Sequence, residues 1–154
     1  MKYEGVCIAV KDVNLSRRFY QELFGLEVYQ DYGINVSFGS LSLQQEFDAL
    51  LGIPGESIVK RAHNMELYFE EEDFDGFLEK LARRGDIRYM GDGVKEAAWG
   101  QRSVRFYDPD DHIVEVGESM KRVIGRFLAS GLSMEETSRR MDVSVADLET
   151  LLRE

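Results

Sequence analysis

Two stretches of this chain carry the same succession of elements, and that duplication restricts the fold more than any other feature of the sequence. In the first, residues 3–10 alternate, with Val6, Ile8 and Val10 on one face and Gly5, Cys7 and Ala9 on the other. Asp12 is placed to cap a helix running to Phe24, where Leu15, Phe19 and Leu23 form an apolar stripe and Gly25 ends it. Residues 26–30, 35–38 and 41–45 read as three more strands, with glycines at the turns. The second stretch repeats the order. Residues 65–70 alternate Leu67 and Phe69 against Glu66, Tyr68 and Glu70. Asp73 caps a helix with Phe74, Phe77, Leu78 and Leu81 on one side, Arg83 and Arg84 in its last turn and Gly85 after it. Residues 87–90 are a short strand. A hairpin of 102–107 and 112–116, turned by Asp108-Pro109-Asp110-Asp111, supplies the last two. The predicted architecture is α+β: two β-α-β-β-β modules, 1–46 and 65–118, joined by a connector over 47–64. The second copy is longer because residues 91–101 are inserted before its hairpin. Each sheet sets one face on its own helix, so the other faces are left for each other or for a ligand.

At 154 residues the chain has the length for a buried core, and no apolar run approaches the roughly 18 residues of a membrane span. The first residues lack the apolar core and small-residue cleavage site of a signal peptide, so a cytoplasmic protein is expected. The net charge of −10 repels a polyanion and argues against nucleic acid as a partner of the main body. A single cysteine excludes an internal disulfide and a cysteine-based zinc site.

Alternation places a set of chemistry-bearing side chains on the faces turned away from the helices. Glu115 projects opposite Val114 and Val116, and its counterpart in the first module is Gln44. Glu66 and Tyr68 share a face, as do Ser103, Arg105 and Tyr107. Glu66 and Glu115 are read either as ion-paired with Arg105 or as a polar clamp or general base acting on a ligand. Cys7, on the inward face with Gly5, is read as a small buried hydrophobe or a nucleophilic thiolate, the latter needing a nearby cation that the sequence does not show. Trp99, at the end of the insertion, is a lid or a packed plug. The candidate ligand-binding residues are therefore Cys7, Gln44, Glu66, Tyr68, Trp99, Arg105, Tyr107 and Glu115.

The segments IAVKDVNLSRRFYQELFGLEV, ELYFEEEDFDGFLEKLARRG and RFYDPDDHIVEVGE, in this order and spacing, resemble the vicinal oxygen chelate superfamily of glyoxalase I, bleomycin-resistance proteins and extradiol dioxygenases. The resemblance covers residues 1 to about 118. It implies an open cup built from the two modules, holding a divalent metal or a small ligand, and a homodimer. In metal-dependent members four inward positions, usually His and Glu, hold the ion. Matching the motifs places these on Gly5, Gln44, Glu66 and Glu115 here. One position has no side chain and one has an amide, leaving Gln44, Glu66 and Glu115 as candidates for a weak all-oxygen metal site. His63 and His112 fall outside these positions.

Residues 119–154 exceed the superfamily's module. A helix over 120–130, a capping box at Ser133 and Glu136, and a similar signal at Ser144 and Asp147 predict three helices. The last two resemble a helix-turn-helix, with Ser138 at its small position and Asp142 where it favours Gly. The third helix carries Asp147 and Glu149, with Arg153 as its basic residue, which is poor equipment for DNA. Three functions stand open. The first is a small-molecule-binding protein of the glyoxalase/bleomycin-resistance type, without a complete catalytic metal site and without a cofactor. The second is a divalent-metal-dependent lyase, isomerase or dioxygenase. The third is a ligand-responsive regulator using the C-terminal helices.

Overall fold

The computed structural model describes residues 1–153. The chain divides into two compact units, Met1–Met65 with Tyr107–Ile113, and Glu66–Phe106 with the chain from Val114 onward.

The first unit holds β1 (Val6–Ala9), α1 (Val13–Phe24), β2 (Gln30–Asp31), β3 (Asn35–Ser37) and β4 (Leu41–Gln44). The sheet order is β1-β4-β3-β2, with β1 parallel to β4 and the other pairs antiparallel. Asp12 caps α1 by accepting from the amides of Asn14 and Leu15, and Gly25 closes it with φ of 66°. The helix buries Val13, Ser16, Phe19, Tyr20 and Leu23. These follow the 3.6-residue period; the strict spacing of four drifts around the axis, which is why Leu15 ends up exposed. Ile8, Val36, Leu41 and Leu43 are the buried apolar residues of the sheet. The segment read as connector includes a short helix, α2 (Phe47–Leu51), and a 3₁₀ turn at Gly55–Ser57.

The second unit holds β5 (Glu66–Glu71), α3 (Phe74–Ala82), β6 (Arg88–Tyr89), β7 (Lys95–Glu96) and most of β8 (Arg102–Tyr107) and β9 (Ile113–Glu118). Its order, β5-β9-β8-β6, has the same pattern of connections as the first sheet. The two sheets thus repeat the β-α-β-β-β module, with β7 added antiparallel to β8 from within the insertion. Helix α3 stops before Gly85: its C-cap is Arg83, in right-handed helical geometry. The second hairpin strand runs on to Glu118, beyond the apolar alternation, because Glu118 is buried by arginine partners rather than solvated.

Three helices follow, α4 (Met120–Ala129), α5 (Met134–Met141) and α6 (Val145–Leu151). Both capping boxes form, and Asp142 takes the left-handed position, φ 57°, between α5 and α6. Val123, Ile124, Phe127, Met141 and Leu148 make their small core. No helix among the described residues is long and apolar enough to cross a membrane.

Candidate functional site

On the second sheet, strand alternation brings Glu66 and Tyr68 of β5, Ser103 and Arg105 of β8 and Glu115 of β9 to one face, opposite Leu67, Val104, Val114 and Val116. Arg105 joins the two acids. Its Nε lies 3.5 Å from Oε2 of Glu66 and its Nη2 is paired with Oε2 of Glu115. Glu115 is 6% exposed. Burial pushes its carboxyl pKa up, and the neighbouring Glu66 carboxylate pushes the same way, against the downward pull of Arg105 and Ser103. The cluster is a guanidinium between two carboxyl groups, one of which holds its proton more tightly than a free glutamate.

An aromatic wall stands on the same face. The Trp99 indole N–H donates to Oε1 of Gln101 at 3.2 Å, Nε2 of Gln101 donates to the Tyr68 hydroxyl at 2.8 Å, and that hydroxyl donates to Glu70 at 2.8 Å. Burial raises the Tyr68 phenol to about 12, so it remains a donor at neutral pH. Trp99 is 46% exposed and Tyr68 49%, so neither is a core plug. Gln101 is missing from the sequence-derived set. It lies two residues before Ser103 on the same alternating face, a signal that was present.

The remaining candidates belong to the first unit. Gln44 is buried and its amide is used: Oε1 accepts from Asn35 at 2.8 Å and Nε2 donates to the Gln45 carbonyl at 2.6 Å. Cys7 is exposed, not buried as a small hydrophobe would be, on a concave face of about 750 Å³ with Asn35, Ser37 and Ser42. Partial burial pushes its thiol pKa up, away from a reactive thiolate. Tyr107 is buried, hydrogen-bonded to Nε2 of His63 at 2.8 Å and covered by the Arg61 guanidinium 4.5 Å from its ring centroid. Asp108, fully buried, accepts from the Tyr20 hydroxyl and pairs with Nδ1 of His112, each at 2.8 Å.

A glyoxalase-like domain matches residues 3–121 of the sequence. The chain belongs to the glyoxalase-like family. With it comes membership of the vicinal oxygen chelate superfamily. Among solved structures, a protein of unknown function from Agrobacterium tumefaciens is 32% identical, with 78% of this chain and 95% of that one covered and a TM-score of 0.65. A glyoxalase/bleomycin resistance protein/dioxygenase family enzyme from Burkholderia phytofirmans has the same fold at 15% identity, covering 77% and 98%, with a TM-score of 0.64. The fosfomycin resistance protein FosX of Mesorhizobium loti does so at 20%, covering 76% and 91%, with a TM-score of 0.54. No curated protein matches the sequence.

The residues at the glyoxalase-like metal positions do not fit a divalent ion. Gly5 has φ of 127°, and a Cβ there would overlap the Ser40 carbonyl, which is fixed by accepting from the Val6 amide at 2.9 Å. That position is closed to any ligand side chain. Gln44 is engaged by its own strand and its neighbour, and both glutamates face an arginine, whose charge opposes a cation at the same oxygens. Among the described residues no group of three His, Cys, Asp or Glu side chains is placed to hold a metal.

Proposed function

We propose that this glyoxalase-like protein binds a small, partly apolar molecule, and that Arg105 supplies the positive charge that a metal supplies elsewhere in the superfamily. The observation that carries this reading is Arg105 lying between Glu66 and Glu115. The guanidinium donates in fixed directions to ligand oxygens, while the carboxyl pair accepts from ligand hydroxyl or amide groups. Tyr68 and Trp99 offer apolar faces beside them. The regulator reading finds no support in charge, since α6 exposes Asp147 and Glu149.

Dansylamide, a neutral amphipathic aromatic that accepts energy from tryptophan, tests the proposal. It is expected to quench Trp99 emission saturably, and Tyr68→Ala should weaken binding several-fold. Protein purified without chelator should hold no stoichiometric metal, and added magnesium or manganese should not bind tightly. A retained ion that Glu115→Gln releases would overturn this reading in favour of the metal-dependent enzyme.

A further inference from the structure

The second module differs from the first by its insertion, and the chain differs from the glyoxalase-like module by its tail. These two additions meet. The loop from Glu96 to Gly100 is turned on itself by two backbone bonds, Ala97 N–H to the Gln101 carbonyl and Gly100 N–H to the Ala97 carbonyl. The tail supplies the rest of its support. Arg126 of α4 donates to the Gly100 carbonyl at 2.6 Å, and Arg140 of α5 donates to the Ala98 carbonyl. The carbonyls immediately before and after Trp99 are thus both held by arginines that lie beyond residue 121, outside the glyoxalase-like match. Nη2 of Arg140 lies 3.6 Å from Glu96, and Nη1 of Arg126 lies 4.0 Å from the same carboxylate.

Phe127 fixes the third point. Its ring fills the place where a Gly100 side chain would stand, and Gly100 has φ of 92°, so only glycine suits both demands. The guanidinium carbons of Arg126 and Arg140 lie 5.4 Å and 5.7 Å from the centre of that ring. Arg126 is in turn anchored to buried Glu118, which it shares with Arg102. Glu118's backbone carbonyl accepts from Gln101, the residue that also holds the Trp99 indole and the Tyr68 hydroxyl. The residues on either side of Trp99 and its own side chain are therefore tied to one network, and three of its members are on the tail.

We propose that α4 and α5 are a working part of the ligand-binding face: Arg126, Phe127 and Arg140 are positioning residues that hold Trp99 ready as one wall of the site. The inference rests on the proposed function for the word ligand, and on the loop's contacts for the rest. A half-exposed indole on an unsupported loop would have to be ordered when a ligand arrives, which weakens binding; a braced one is ordered beforehand. The helix-turn-helix-like tail then serves the small-molecule site, with no nucleic-acid partner required.

Trp99 is the only tryptophan, so the emission of the whole protein reports on it. Arg140→Met removes the brace on Ala98 and leaves the Glu118 network whole. Its acrylamide quenching constant should rise about two-fold over wild type, and its dansylamide affinity should fall about three- to ten-fold, the range expected when one side chain must be ordered on binding. The melting curve should stay in place, and Arg140→Lys should recover part of both effects. Arg139→Met, next along α5, controls for charge and should leave both unchanged. Unchanged quenching in Arg140→Met overturns the bracing. Equal effects from Arg139→Met also overturn it, since net charge would then be the cause. Raised quenching with unaltered dansylamide affinity overturns the link between tail and site. Failure of wild type to bind dansylamide defeats the proposed function instead, and leaves the acrylamide comparison to decide the bracing.

Discussion

Arg105 sets the charge state of its face. Glu115 has a pKa above the 4.5 of a free carboxyl, first because it is buried. A carboxyl raised on folding contributes stability that is present below about pH 4.5 and is lost as pH rises through its folded value. Arg105 limits that loss by pulling the pKa back down. Arg105→Met should therefore match wild type near pH 4 and fall below it by about 1–2 kcal/mol at pH 7, a figure kept small because Arg105 and Glu66 are partly solvated. Urea unfolding at both pH values measures this, and equal gaps at the two would refute it. Glu66, Arg105 and Glu115 were legible as neighbours from alternation alone, because period two leaves few choices once the strands are ordered. The sequence was silent on how Gly5 is enclosed, since that depends on the path of Ser40, an irregular backbone position.

At the scale of elements, the tip of the hairpin is tied into the first unit by Asp108, which takes hydrogen bonds from Tyr20 of α1 and pairs with His112. Burial works against a charged His112, but the bond and charge of Asp108, with Asp110 and Asp111 behind it, win, and the pKa rises above 6.5. A histidine raised on folding contributes stability that is complete below pH 6.5 and disappears as pH climbs through the folded value. Wild type should lose stability across that interval, and His112→Gln should flatten the dependence. Thermal melts from pH 6 to 8 read the difference directly, and parallel curves would count against it. The turn itself was visible in Asp108-Pro109-Asp110-Asp111, as were the caps at Asp12, Asp73, Ser133 and Ser144. Strand ends were not, because β2, β6 and β7 are two residues long and carry no period to detect. Tyr20, Asp108 and His112 escaped notice as a network for a different reason: Asp108 and His112 share the hairpin turn, but Tyr20 is on α1, 88 residues before Asp108, and only the tertiary fold brings them together.

For the molecule as a whole, the glyoxalase-like match ends at residue 121, but the energetics do not. Glu118 is 2% exposed and depends on Arg126 as well as Arg102. Its pKa is lowered because the arginine hydrogen bonds outweigh the upward push of burial. Cutting the chain after Lys121 leaves this carboxylate half-paired and uncovers Gly100. A loss of about 3 kcal/mol, or about 10 °C in melting temperature, is expected. Circular dichroism melts decide it, and a truncated chain melting within about 2 °C of the full one would show that the tail is dispensable. The two modules are also unequal at one matching position. Gly5 and Glu66 hold corresponding places in the two modules; Glu66 carries a side chain there, and at Gly5 the Ser40 backbone takes up the space. A side chain at Gly5 would demand that the main chain be re-routed first. No single substitution at Gly5 can therefore complete a ligand set there, because the obstacle is the course of the backbone and not the choice of side chain.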